Sequence, residues 1–179
     1  MHPDLEEILF TEEQLMKAIG ELGAQLSQDY AGKNPLFICV LKGAVMFMAD
    51  LVKRVDIPME MDFMAISSYG ASSKSSGVVR ILKDLDGSVE GRDLVIVEDI
   101  VDTGLTLAYL KEILLHRRAQ SVKVAALFDK PEGRQVDIVP DYKCFDVPNA
   151  FIVGYGLDYA EHYRNLPFVG VLKRDVYVG

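Results

Sequence analysis

The chain has little of what marks a secreted, membrane-bound or nucleic-acid-coating protein. Only two cysteines occur in 179 residues. Cys39 lies in an apolar, strand-like run and Cys144 in Tyr-Lys-Cys-Phe; neither has a CxxC or metal-ligand spacing, so both read as reduced packing residues. No apolar run approaches the roughly 20 residues that cross a bilayer. The opening Met-His-Pro-Asp-Leu-Glu-Glu is acidic and lacks the hydrophobic region of a signal peptide. Cations are scarce as well: 19 Lys and Arg against 27 Asp and Glu give a formal charge of −8, which argues against a broad nucleic-acid face. There is no internal repeat, and no linker long enough to divide the chain. These absences leave a cytoplasmic protein of one domain, residues 1–179, with neither membrane nor nucleic acid as partner. Its length suffices to bury a substantial core without staples.

What is there is concentrated in Leu94–Leu107, which reads Leu-Val-Ile-Val-Glu-Asp-Ile-Val-Asp-Thr-Gly-Leu-Thr-Leu. Four leading apolar residues suit a strand buried on both faces, as in a parallel sheet, and that strand is expected to stop at Glu98 and Asp99. From Leu107 the apolar spacing turns to Leu107, Leu110 and Leu114, one face of a helix. Between them stand Asp102, Thr103, Gly104, Leu105 and Thr106. Amides at a helix N-terminus are unpaired and, with the helix dipole, favour a phosphate. Gly104 permits close backbone approach, and the Thr103 and Thr106 hydroxyls add donors. Carboxylates beside such a cradle would repel its phosphate, so Glu98 and Asp99 must meet sugar hydroxyls, a metal ion or a proton. The implied ligand is a phosphorylated sugar. The plainer alternative is a capped loop whose acids serve solubility.

The rest of the chain repeats this plan. Thr11-Glu12-Glu13-Gln14 has capping-box spacing, and Leu15, Ile19, Leu22 and Leu26 predict a helix over 12–29, weakened by Gly20 and Gly23. Leu36–Leu41 reads as a second buried strand, then Lys42-Gly43, then an apolar helix over 44–52. Lys42 alone is an ordinary loop lysine. A strand over 59–67 leads into Ser67–Gly77, the one low-complexity segment, either a surface loop or a lid that excludes water. Val78–Leu82 returns as a hairpin strand. Further strands are expected at 122–128, 142–147 and 168–172, with a helix ending near Arg118. His116 suits that helix's C-terminus. At the end of the 122–128 strand, Lys130 serves at least to neutralise Asp129. Gly154-x-Gly156 is no dinucleotide fingerprint, because Tyr159 stands at the third glycine. Taken alone, Phe151 is a core residue and Arg164 a surface one, while His162 has no evident partner.

The run apolar strand, Glu-Asp, two apolar residues, Asp-Thr-Gly-x-Thr closely resembles the phosphoribosyl-pyrophosphate (PRPP) motif of type I phosphoribosyltransferases. Phe151-Ile-Val-Gly-Tyr-Gly-Leu-Asp-Tyr159, followed by Glu161-His-Tyr-Arg-Asn-Leu166, resembles the hypoxanthine-guanine branch of that family. The likeness spans Leu36 to Leu172, with four loops in the expected order. It implies that Glu98 and Asp99 hold the ribose hydroxyls, while Asp99, Thr103, Gly104, Leu105 and Thr106 surround the 5′-phosphate. Asp102 faces the base and accepts its proton or orients it. Lys42, Gly43 and Arg164 bind pyrophosphate, with a cis peptide between Leu41 and Lys42. Ser68 and Tyr69 sit on the lid loop. Lys130, Phe151, Ile152 and Asp158 bind the purine, Lys130 at O6, and Glu98, Asp99 and Asp158 are the candidate ligands of Mg²⁺.

The expectation is an α/β protein of the type I phosphoribosyltransferase fold, a mainly parallel twisted sheet flanked by helices with a small hood. The core would span about 10–127 and 168–175. The hood would span about 128–168 plus the first few residues. The implied activity is purine salvage: transfer of 5-phosphoribosyl from PRPP to N9 of hypoxanthine or guanine, by a homodimer or homotetramer. A PRPP-sensing regulator on the same fold is a second reading, disfavoured by the acidic charge. A receiver-like phosphoacceptor is a third, and it leaves the Thr-Gly-x-Thr cradle unexplained.

Overall fold

The computed structural model describes residues 2–68 and 79–179. Its larger sheet has six strands: β2 (Leu36–Leu41), β3 (Glu60–Ser68), β4 (Val79–Lys83), β5 (Asp93–Val101), β6 (Ser121–Asp129) and β7 (Tyr142–Asp146). They lie in the order β4-β3-β2-β5-β6-β7, all parallel except β4, which pairs antiparallel at one edge. The order reverses between β2 and β5, so the carboxyl ends of these two neighbours open a crevice, the place where open α/β sheets hold ligands.

Side chains alternate across a strand, so each central strand feeds two cores. Phe37, Cys39, Val95, Val97, Ala125 and Leu127 pack beneath α1 (Glu12–Asp29) and α2 (Val45–Val52). Ile38, Val40, Leu94, Ile96 and Val124 face Leu107, Leu110 and Leu114 of α3 (Leu105–His116). Fully burying each of those three leucines contributes about 1.5–3 kcal/mol, which fixes α3, and so its N-terminus, against the sheet. The capping box of α1 forms as its spacing implies: Gln14 N donates to Thr11 Oγ1 at 3.2 Å, and Thr11 N donates to Gln14 Oε1 at 2.9 Å. Both cysteines are free, Cys39 wholly buried. His116 is exposed in the last turn of α3, as expected.

Three details differ from the sequence reading. The strand does not stop at the two carboxylates; β5 runs on to Val101, because β6 is long enough to pair Glu98 with Ala126 and Val101 with Asp129. A second, three-stranded sheet has the order β1-β9-β8, formed by β1 (Leu5–Phe10), β9 (Val169–Leu172) and β8 (Ile152–Val153). Residues 169–172, expected with the core, therefore sit in the smaller sheet, where Val169 is drawn opposite Phe10. Conversely β7, expected in the hood, belongs to the larger sheet, with Phe145 paired to Phe128 and its ring tilted against Phe10, centroids 4.3 Å apart. Tyr69 and the remainder of the Ser-rich segment up to residue 78 lie outside the described residues.

Candidate active site

The crevice holds three adjoining hollows. The first lies at the N-terminus of α3 and is lined by Glu98, Ile100, Asp102, Thr103, Gly104 and Thr106, with Val40 and Ile66 opposite. Gly104 is the N-cap at φ +82° and has no side chain to cap the helix; Leu105 N donates to Thr103 Oγ1 at 3.3 Å, and the amides of Thr106 and Leu107 are left for a ligand. A Cβ on Gly104 would come within 2.5 Å of Ile138 Cγ2 and 3.0 Å of Arg134 Cδ, so both conformation and space demand glycine. The loop over it is stapled down: Lys130 N donates to Val101 O at 2.9 Å and Gln135 N to Thr103 O at 2.9 Å. Arg134 Nε adds a bond to Asp102 O at 3.1 Å.

The second hollow lies between the end of β2 and residues 158–164. It is lined by Lys42, Gly43, Glu98, Asp99, Asp158, Glu161 and Arg164, among others. The Leu41–Lys42 peptide is cis, as the resemblance implies. Gly43 packs directly on the Asp99 carboxylate, leaving no space for a Cβ. Arg164 is far from a free surface residue: its side chain is 22% exposed, and it donates to Gly156 O at 2.6 Å and stands 3.3 Å from Asp158 Oδ1. Its Nε is buried with no hydrogen-bond partner among the described residues.

The third hollow is lined by Asp99, Ile100, Asp102, Lys130, Phe151, Ile152, Leu157 and Asp158. Phe151 is not in the core. The residue is 38% exposed, and one face of its ring rests on Tyr177, with centroids 4.7 Å apart. Lys130 does not neutralise Asp129, whose carboxylate takes Arg134 and Lys143 instead. The Lys130 ammonium turns into the hollow, 3.9 Å from Asp102 Oδ2. The hollows share walls: Glu98 separates the first from the second, Asp99 and Asp158 the second from the third, Ile100 and Asp102 the first from the third.

Electrostatics follow from this crowding. Burial, with Asp99 beside it, pushes the Glu98 carboxyl well above the usual carboxylate range. Burial raises Asp99 to about 6; its own amide, that of Ile100 and the Arg164 guanidinium pull the other way, and Asp158 adds to the rise. Two acids held this way lack positive charge. Yet among the described residues no group of three or more His, Cys, Asp or Glu is gathered to hold a metal ion. Glu98, Asp99 and Asp158 do not close into a cage, because successive strand residues point to opposite faces. Such a set suits a cation that keeps waters and borrows oxygens from a phosphorylated ligand.

Comparison with known proteins decides the family. The Phosphoribosyl transferase domain matches residues 6–160. A hypoxanthine-guanine phosphoribosyltransferase of Streptococcus thermophilus is 60% identical over 177 residues, covering 99% of this chain and 98% of that one. The chain belongs to the hypoxanthine-guanine phosphoribosyltransferase family. The Streptococcus agalactiae member is 59% identical over 97% of both chains. A Staphylococcus aureus hypoxanthine phosphoribosyltransferase structure superposes with a TM-score of 0.97 at 48% identity, covering 100% of this chain and 97% of that one.

The site residues that the resemblance implies all line the three hollows, apart from Leu105, which opens α3 beside the first, and Ser68 and Tyr69. Ser68 closes β3, and Tyr69 is outside the described residues. Two residues were missed. Glu161 was quoted only as part of a motif, and Arg134 not at all. An exposed glutamate and a loop arginine carry no signal until their partners are known.

Proposed function

We propose that this chain transfers the 5-phosphoribosyl group of PRPP to N9 of hypoxanthine or guanine, giving IMP or GMP and pyrophosphate. The observation that carries the reading is the meeting of three hollows of different chemistry at one point. One offers amides and hydroxyls, one offers two cations, and one offers an aromatic face with a fixed ammonium. Those are the requirements of a 5′-phosphate, a diphosphate and a 6-oxopurine, spaced around a ribose.

The 5′-phosphate takes the amides of α3 with Thr103, Gly104 and Thr106. Glu98 and Asp99 accept hydrogen bonds from the ribose hydroxyls. Lys42 and Arg164 meet the diphosphate, and Phe151 covers the purine ring. Lys130 donates to O6, which favours a 6-oxo acceptor over the 6-amino donor of adenine. The C1′–oxygen bond to the diphosphate breaks as the C1′–N9 bond forms. The purine N7 proton passes to Asp102, for which proton transfer contributes typically ~10²–10⁴-fold. Mg²⁺, which Glu98, Asp99 and Asp158 would help hold together with PRPP oxygens, supplies charge neutralisation at the leaving diphosphate.

A cytoplasmic setting belongs to the same reading, in keeping with two unpaired cysteines. So does assembly into a homodimer or homotetramer, which light scattering on the purified chain checks. The deciding test is incubation with PRPP, Mg²⁺ and one base at a time, reading nucleotide directly. IMP and GMP are expected, and AMP is not. No nucleotide with hypoxanthine or guanine would overturn the proposal.

A further inference from the structure

We infer that Glu161 is a placeholder anion: its carboxylate occupies the diphosphate's place between Lys42 and Arg164, and it must swing into water for the diphosphate to bind. The inference rests on the reading of the second hollow as the diphosphate subsite. Its ground is geometric. Glu161 Oε2 lies 3.0 Å from Lys42 Nζ, and Oε1 lies 3.3 Å from Arg164 Nη2. One carboxylate thus spans both cations, an oxygen to each, as two phosphoryl oxygens would. A ligand cannot take both cations while Glu161 keeps them.

Charge makes the displacement necessary. Of the six charged side chains around this hollow among the described residues, Lys42 and Arg164 are positive, while Glu98, Asp99, Asp158 and Glu161 are acids. Withdrawal of one acid changes the balance around an entering polyanion from four acids against two cations to three against two, and frees both cations. Glu161 is the acid free to do so. Its side chain is 63% exposed, whereas Glu98 is buried and Asp99 lies against Gly43. Arg164 meanwhile stays anchored by Gly156 O and Asp158, so the cation remains when the carboxylate leaves. The same two cations hold the Glu161 carboxyl below its usual range, so it is ionised and competing at neutral pH.

The backbone does not depend on the latch. Glu161 N donates to Asp158 Oδ2 at 2.9 Å whatever the side chain does, and an exposed ion pair contributes little to folding. Glu161→Gln should therefore fold. It keeps the length of the side chain and removes the competing charge.

The opposite role, in which Glu161 orients Lys42 and Arg164 for the ligand, predicts the opposite sign. The test is titration calorimetry of the full chain with inorganic pyrophosphate and Mg²⁺, and separately with GMP. For Glu161→Gln and Glu161→Ala we expect pyrophosphate to bind about tenfold more tightly than to the parent, the order expected when a close like charge is removed. GMP, whose phosphate takes the other hollow, should change less than about twofold. Unchanged or weaker pyrophosphate binding in both variants overturns the placeholder alone. An equal gain for GMP overturns it too, as a general charge effect. No pyrophosphate binding even in the parent overturns the subsite assignment and the placeholder with it.

Discussion

The two anion-facing hollows solve one problem in opposite ways. At the N-terminus of α3 the donors are backbone amides and two threonine hydroxyls, with no lysine or arginine among the described residues of the lining. At the end of β2 the donors are Lys42 and Arg164, both already paired with acids. Amides in a packed helix are aimed in advance and need no reorganisation when charge arrives. Ion-paired side chains must exchange one anion for another. The first hollow is therefore a fixed seat that keeps what it holds. The second suits a group that must arrive, leave and be released.

The sharpest way to break the first hollow is through its backbone. Gly104→Val forces a β-branched residue into a left-handed conformation and drives its side chain into Ile138 and Arg134. The variant should lose about 3 kcal/mol or more of stability and at least about 100-fold in GMP affinity. Thermal unfolding with and without GMP checks both numbers. A variant with parental GMP binding would mean that the phosphate does not sit there.

Next in size is Asp102→Asn, which acts on the wall between the first and third hollows. Asparagine cannot take the purine proton, so turnover should fall about 10²-fold at saturating substrates. PRPP binding should not weaken, because Asp102 lines neither the Lys42 nor the Arg164 wall and, at the edge of the first hollow, its carboxylate offers the 5′-phosphate no donor to lose. Steady-state kcat with a separate PRPP titration distinguishes the two; parental turnover refutes the assignment.

A smaller effect tests the wall between them. Asp99 rises from the ordinary 3.8 to about 6 on folding. A carboxyl raised in this way is harmless below its unfolded pKa, and its cost grows as pH climbs through the folded one. Asp99→Asn should therefore match the parent near pH 4 and gain stability above pH 7, where a few degrees of Tm, about 2–6 °C, are expected for a chain of this size. Relief of Glu98 from its neighbour's charge acts in the same direction. Thermal melts of ligand-free protein across that range check it, and a variant less stable at pH 8 would contradict the burial argument.

The same contrast explains what the sequence made legible. The fixed seat is contiguous: strand, acids, threonines and helix occupy one stretch, so local periodicity and turn chemistry reveal it. The start of α1 is equally local, set by Thr11 and Gln14. Strand β1 was not. Its pairing with β9 spans most of the chain, and two register shifts break the two-residue alternation that would betray it. Glu161 is the extreme case, since its meaning depends on Lys42, 119 residues away. The cations Lys42 and Arg164 were found only through family likeness. On composition alone both looked like surface residues, because what distinguishes them is the carboxylate each faces.

The last expected effect is the smallest and separates the hollows without mutation. Screening weakens interactions between exposed ions far more than those with amides fixed in a packed helix. Raising NaCl from about 0.05 to 0.5 M contracts the Debye length severalfold and should weaken pyrophosphate binding by roughly three- to fivefold. Loss of GMP affinity over the same range should be smaller, because Lys42 is 69% exposed while the α3 amides sit at the base of a walled hollow. Paired titrations of the two ligands at each salt concentration give the comparison directly. Equal slopes would mean that α3 contributes no more protection from solvent than the Lys42 loop does, and the distinction between a fixed seat and an exchangeable one would fall.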